Sequence, residues 1–206
     1  MVITYHGGEC FKISQGDLTL AFNPPSKDSA IKVSKFGADI VLSSLDNEDF
    51  NGIETASIGD KRPFPIMGPG EYEIKGISVR GFKSDTQYGK KKGVNTIYSL
   101  SLDGINLCFL GALDGEVPQS AKQDLDDVDV LFAPIGGEGV LNYSSAYKLA
   151  VQLEPKLVIP MQYGEKELKS FLKEAGAEAT DPVEKLTLKK KDLEGKEGDI
   201  TVLSAN

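Results

Sequence analysis

The chain of 206 residues has little of what metal and redox chemistry usually draw on: a single histidine, His6, and two cysteines, Cys10 and Cys108. Catalytic zinc sites combine two or three imidazole, thiolate or carboxylate ligands with one open position, and one His with two distant Cys does not readily supply such a set. The cysteines lack a C-x-x-C spacing and sit in apolar, strand-like runs, so two buried free thiols are expected. No apolar run approaches the roughly 20 residues that cross a bilayer. The opening MVITYHGGEC has no basic stretch followed by an apolar one, and a cytoplasmic location is expected. No low-complexity tract or Pro/Gly/Ser linker divides the chain, which reads as one domain over residues 1–206. Basic residues are outnumbered, 23 Lys and Arg against 31 Asp and Glu, for a formal charge of -8. Such a surface repels polyanions. Nucleic acid and membranes are therefore not expected as partners, and an unknown small molecule or protein is; the sequence leaves the oligomeric state open.

What is present is a strand-rich pattern interrupted by helical periods. VITYHG, CFKIS and LTLAF read as an N-terminal meander with alternating faces. Residues Asp28 to Phe36 carry a helical period closed by Gly37, and ADIVLSS follows as a nearly continuous apolar strand of the kind buried on both faces. It runs into the acidic segment Leu45 to Gly52. A second strand run comprises Thr55 to Ile58, EYEIKG, ISVRGF, a hairpin insert from Ser84 to Gly93, TIYSLSL and INLCFLG, with turn residues pointing to antiparallel pairing. Three alternations follow. Helices over Pro118 to Leu125, Ser144 to Leu153 and Glu165 to Ala175 precede VDVLFAPIGG, KLVIPMQYG and a final strand pair near LTLKK and ITVLS. Pro118 suits a first helical turn and Gly176 a C-terminal cap. The pattern predicts an α/β fold in which two mixed sheets pack face to face with helices outside, a four-layer αββα sandwich.

Several segments, taken in order, resemble the small lactonase-like, zinc-dependent branch of the metallo-beta-lactamase superfamily. ITYHGGECFKIS resembles its strand, Gly-His-Ser-Cys-Phe turn and strand; LAFNPP resembles its Ile-Asp-Pro segment; ADIVLSSLDNEDFNG resembles its Thr-His-x-His-x-Asp-His signature. GEYEIKGISVRG, LCFLGALDG, DVLFAPIGG and PKLVIPMQYG resemble its later landmarks. The resemblance covers nearly the whole chain and implies a zinc-using hydrolase fold. Placed on the signature, however, the first two metal-binding histidines fall on Leu45 and Asn47, the aspartate on Asp49 and the third histidine on Phe50. The downstream His falls near Ser84 to Gln87, the bridging Asp on Ala112, the last His on Gln162, the accessory Asp on Asn23 and the first-turn His on Gly8. The family's chemistry needs a metal-bound water brought toward neutral pKa, and Leu45, Phe50 and Ala112 have no side-chain donor atoms. The resemblance thus leads to a former metal-site cleft of Leu45, Asn47, Asp49, Phe50, Ala112 and Gln162 on a binding or interaction module, with no catalytic residue and no cofactor expected. Its floor, made less charged, favours an apolar or neutral ligand.

The alternative is a divergent hydrolase of phosphate esters or lactones whose metal is held by the carboxylates of Asp46, Glu48, Asp49 and Asp114, with Gln162, since magnesium, calcium and manganese take oxygen ligands. Acidic residues at a helix start are equally explained by the helix dipole. His6 at a strand end reads as a structural residue, and no G-x-S-x-G elbow supplies a nucleophile. Lys90, Lys91 and Lys92 beside Tyr88 are expected as a solvated loop tip. Gly136, Gly137 and Gly139 lack the Lys-Ser/Thr of a phosphate loop and read as tight backbone passage beside the cleft.

Overall fold

The computed structural model describes all 206 residues. Thirteen strands form two mixed sheets. The first contains β1 (Val2–Tyr5), β2 (Phe11–Gln15), β3 (Leu18–Phe22), β4 (Ile40–Leu42), β5 (Phe64–Ile66) and β12 (Leu186–Thr187), in the order β12-β1-β2-β3-β4-β5. The second contains β6 (Gly70–Ile74), β7 (Ile77–Thr86), β8 (Gly93–Leu102), β9 (Ile105–Phe109), β10 (Val130–Pro134), β11 (Leu157–Met161) and β13 (Asp199–Ile200), in the order β13-β11-β10-β9-β8-β7-β6. Strands β6 to β9 pair antiparallel, as their short turns predict. Strands β9, β10, β11 and β13 are parallel, and β10 and β11 are buried at every residue, which is what parallel strands covered on both faces require.

The inner faces of the two sheets share one apolar core. Phe22 stacks on Phe109 with ring centroids 4.6 Å apart, and Phe11 meets Phe132 edge-on at 4.9 Å. Each fully buried ring contributes roughly 1.5–3 kcal/mol relative to exposure, so these four rings clamp sheet to sheet. Outside the second sheet lie α1 (Tyr143–Leu153), α2 (Glu165–Glu174) and a 3-10 helix over Gln119–Leu125. Ala121, Leu125, Ala146, Ala150, Phe171 and Leu172 pack there against Leu131, Ala133 and Val158. Helix α2 ends where Gly176 takes a left-handed φ of 65°, with Ala177 N–H donating to Leu172 and Gly176 N–H to Lys173, the paired bonds that terminate a helix at glycine. The α/β sandwich of two mixed sheets packed face to face holds.

Its outer layer over the first sheet differs from expectation. Asp28 to Phe36 is irregular and not helical. The Ser29 hydroxyl accepts from Ile31 N–H and donates to Asp49, while Lys32 Nζ donates to the Ser29 and Lys27 carbonyls. Side chains that serve nearby backbone groups compete with helical pairing, and a short segment gains little from helix formation alone. Phe36, with Val33, still covers the sheet at Cys10, Ala21 and Val41. Thr55 to Ile58 is likewise a turn; the strand lies further on at β5, whose Pro65 suits an edge position. The last two strands are not a pair, for β12 joins β1 and β13 joins β11. Both cysteines are buried free thiols. No helix is long and apolar enough to cross a membrane.

Candidate functional site

A cleft of about 770 Å³ opens where β1, β4, β10 and β11 end. Each wall is a loop that leaves a buried strand, which fixes its root while leaving its tip free to carry function. The β4 loop supplies Asn47, Glu48 and Asp49, the β7–β8 hairpin supplies Tyr88, and the residue after β11 is Gln162. Close backbone passage shapes the rest. A Cβ on Gly136 would stand 2.1 Å from the Gln162 carbonyl oxygen, and one on Gly139 2.4 Å from that of Gln87; the glycine run thus serves tight passage, as expected.

Of the six residues matching the family's metal site, Asn47, Asp49 and Gln162 line this cleft and three do not. Leu45, Phe50 and Ala112 are buried together with Val140 in a closed apolar cluster, with Tyr88 packed against it. The Tyr88 and Phe50 rings meet edge-on at 4.7 Å. Asn95 holds the turn below: its Oδ1 accepts Ala112 N–H at 2.8 Å while its Nδ2 donates to Ser84 and the Leu110 carbonyl. The expected floor for a neutral ligand is therefore sealed, and the open space above it is acidic, with Glu48, Asp49, Glu138 and Glu167 against Lys90 alone.

Asp49, the one carboxylate that matches the signature, is tied on both oxygens. Ser29 donates to Oδ1, Tyr88 donates to Oδ2 at 2.8 Å, and Gln162 Nε2 reaches the Tyr88 oxygen at 3.4 Å. Burial, reinforced by the Asp49 hydrogen bond and charge, pushes the Tyr88 phenol well above its usual range, so it stays a proton donor. Of the alternative carboxylate set, Glu48 and Asp49 reach the cleft. Asp46 is exposed and accepts from Asn51, and Asp114 lines a different cavity beside α1. No group of three or more His, Cys, Asp or Glu side chains converges as metal ligands would, so the proposed quartet is not assembled. The residues present do not fit a zinc ion of the family type.

Sequence reasoning passed over three contributors. Tyr88 was expected in a solvated tip but turns inward; Ser29 lay in an expected helix; and Glu9 drew no attention. Glu9 is 1% exposed beneath the cleft, with Oε2 accepting from Asn23 Nδ2 at 2.9 Å and Oε1 without a partner. Burial raises its carboxyl to about 8, against the opposing Asn23 hydrogen bond. A carboxylate inside a run otherwise built of small and apolar residues, GGECF, is the available signal. His6 stacks on Phe36 at 4.9 Å, and burial, aided by nearby Lys12, holds its imidazole below the ordinary value. It is a neutral packing residue.

Comparison with known proteins agrees with this architecture. The family model described as a beta-lactamase superfamily domain matches residues 2–162, and the chain belongs to that superfamily, with the metallo-beta-lactamase fold. A protein of Natranaerobius thermophilus named metal-dependent hydrolase is 23% identical over 185 residues, covering 79% of this chain and 83% of that protein. One of Listeria innocua with the same description is 24% identical over 196 residues, covering 79% and 85%. A solved structure from Thermotoga maritima, whose description proposes a Zn-dependent hydrolase of the metallo-beta-lactamase superfamily, is 25% identical with a TM-score of 0.77, covering 98% of this chain and 97% of that one. The Bacillus subtilis metallo-beta-lactamase fold protein YhfI, 10% identical with a TM-score of 0.64, covering 100% of this chain and 97% of that one, shares the fold.

These relatives correct the expectation that no cofactor is involved. They are named for metal dependence, so a metal cofactor is what membership of this family points to. The reason for the error is that the expectation was drawn from a handful of signature positions, whereas the family is recognised over most of the chain.

Proposed function

We propose that the chain is a ligand-binding member of this metal-dependent hydrolase family, acting as a single domain over residues 1–206, with the cleft bounded by Asp49, Tyr88 and Gln162 as its binding site. The observation that carries this reading is the sealed cluster of Leu45, Phe50, Ala112 and Val140, capped by a Tyr88 whose proton is committed to Asp49. Residues that pack apolar side chains against one another stabilise a floor and do not polarise a water. A cleft of several hundred Å³ with convergent polar groups above such a floor has the dimensions of a small-molecule site.

A second reading, hydrolysis of a phosphate ester or lactone with an oxygen-ligated metal, is favoured by the names that the relatives carry. Glu48 and Asp49 are the carboxylates of that reading found in the cleft. Turnover separates the two. Protein purified without chelator is analysed for metal, then assayed with zinc, manganese or magnesium against p-nitrophenyl phosphate and γ-butyrolactone. Saturable turnover that depends on added metal and is abolished by Asp49→Asn replaces the first reading with the second. Absence of turnover, with cleft-dependent thermal stabilisation by small molecules, supports the first. A ligand at 100 times its Kd adds about 2.7 kcal/mol, which is readily measured.

A further inference from the structure

The direction of the hydrogen bonds at the cleft leaves one atom without a counterpart. Tyr88 gives its only proton to Asp49 Oδ2, so its oxygen can only accept, and Gln162 must present its NH2 to it. That fixes the amide orientation and leaves Gln162 Oε1, a buried acceptor, with no donor. The atom lies against Gly8, 3.5 Å from where a Cβ would stand, with the Ile31 side chain beside it on the irregular segment of the outer layer. A second oxygen without a partner, Glu9 Oε1, belongs to a residue next to Gly8 that is 1% exposed. A buried acceptor left without a donor, as Gln162 Oε1 is, costs about 1–3 kcal/mol. Around the opening stand four carboxylates and one ammonium group.

We propose that the cleft recognises a primary ammonium or guanidinium group, which donates to Gln162 Oε1 and sits against the Glu48 and Asp49 carboxylates. This rests on reading the cleft as a ligand site. The unpaired acceptor asks for a donor, the acidic rim asks for positive charge, and a donor-bearing organic cation answers both without the three converging carboxylates that a metal ion would need. Access to Gln162 Oε1 requires the Ile31 side chain to swing aside, a movement that breaks no hydrogen bond of that side chain.

The test is calorimetric titration and thermal unfolding of the full chain with 1,4-diaminobutane, agmatine, tetramethylammonium, inorganic phosphate and γ-butyrolactone. The expected result is saturable binding and a rise in Tm with diaminobutane and agmatine, and neither with the other three at equal concentration. Gln162→Met removes the acceptor at similar volume and should weaken agmatine roughly 10- to 100-fold, as for a hydrogen bond to a charged group. Should that variant fail to fold, Glu48→Gln on the exposed rim should weaken it several-fold. Equal response to tetramethylammonium, or Gln162→Met and Glu48→Gln both binding agmatine as the parent does, overturns the proposal. Binding of γ-butyrolactone or phosphate without amine binding overturns the ammonium class while leaving the ligand site in place; hydrolysis of γ-butyrolactone overturns both.

Discussion

Asp39 and Asp129 stand one residue before β4 and β10, at matching places in the two halves, and are held alike. Asp39 accepts from Thr19 N–H and pairs with Lys61 and Lys75 at 3.1 and 2.9 Å. Asp129 accepts from Asn106 N–H and pairs with Lys156 and Lys190 at 2.7 and 2.6 Å. In each, burial opposes ionisation, but the lysine hydrogen bonds and the backbone amide outweigh it and hold the carboxyl below the usual range. At the opposite end of the sandwich, beyond β1 and β11, His6 Nδ1, Glu9 Oε1 and Gln162 Oε1 are buried with no partner. One end of the sandwich is closed electrostatically and the other is left unsatisfied. Buried polar groups are seldom left unpaired, and each one that is calls for a partner such as an ordered water or a ligand.

The largest expected break of this contrast is Asp129→Ala. It strands the Asn106 amide and removes two charge-assisted hydrogen bonds from the partly exposed Lys156 and Lys190, and should cost about 3 kcal/mol by urea unfolding. Because both carboxyls are depressed, their contribution is fully present above the unfolded value near 3.9 and is lost as pH falls through the still lower folded value. Stability of the parent should therefore drop steeply below about pH 4, and less steeply in Asp129→Asn. A parent curve as shallow as that of the variant would contradict the pairing.

At the cleft end, Phe50→Ala opens a cavity under Tyr88 and should cost about 3 kcal/mol; a change within error would show that the cluster is not packed as described. Glu9→Gln acts with opposite sign to the aspartates. A carboxyl raised to about 8 keeps its proton in the folded chain while the unfolded chain releases it near 4.5, so the parent should lose stability as pH rises between those values, by up to about 1.4 kcal/mol per unit. Glu9→Gln should flatten this slope and leave the variant more stable than the parent at pH 8. The smallest effect is expected from Tyr88→Phe, which removes one hydrogen bond worth about 1 kcal/mol and frees Gln162; unchanged stability together with unchanged agmatine binding would mean that Tyr88 does not order the cleft.

The sequence by itself determined the layer architecture, because alternation in CFKIS, continuous apolar runs in VDVLF and KLVIP, and a glycine cap at Gly176 are local signals that tertiary packing reinforces. The family resemblance added the expectation of one cleft made by Leu45, Asn47, Asp49, Phe50, Ala112 and Gln162. It could not show that three of these would be sealed away, that Asp46 and Asp114 would face elsewhere, or that Asp28 to Phe36 would forgo its helical period. Those outcomes depend on which side chain meets which across long sequence separations: Ser29 and Tyr88 reach Asp49 from 20 and 39 residues away. Directional hydrogen bonds at such separations are decided only once the sheets have closed, and it is they, not the apolar pattern, that give the cleft its chemistry.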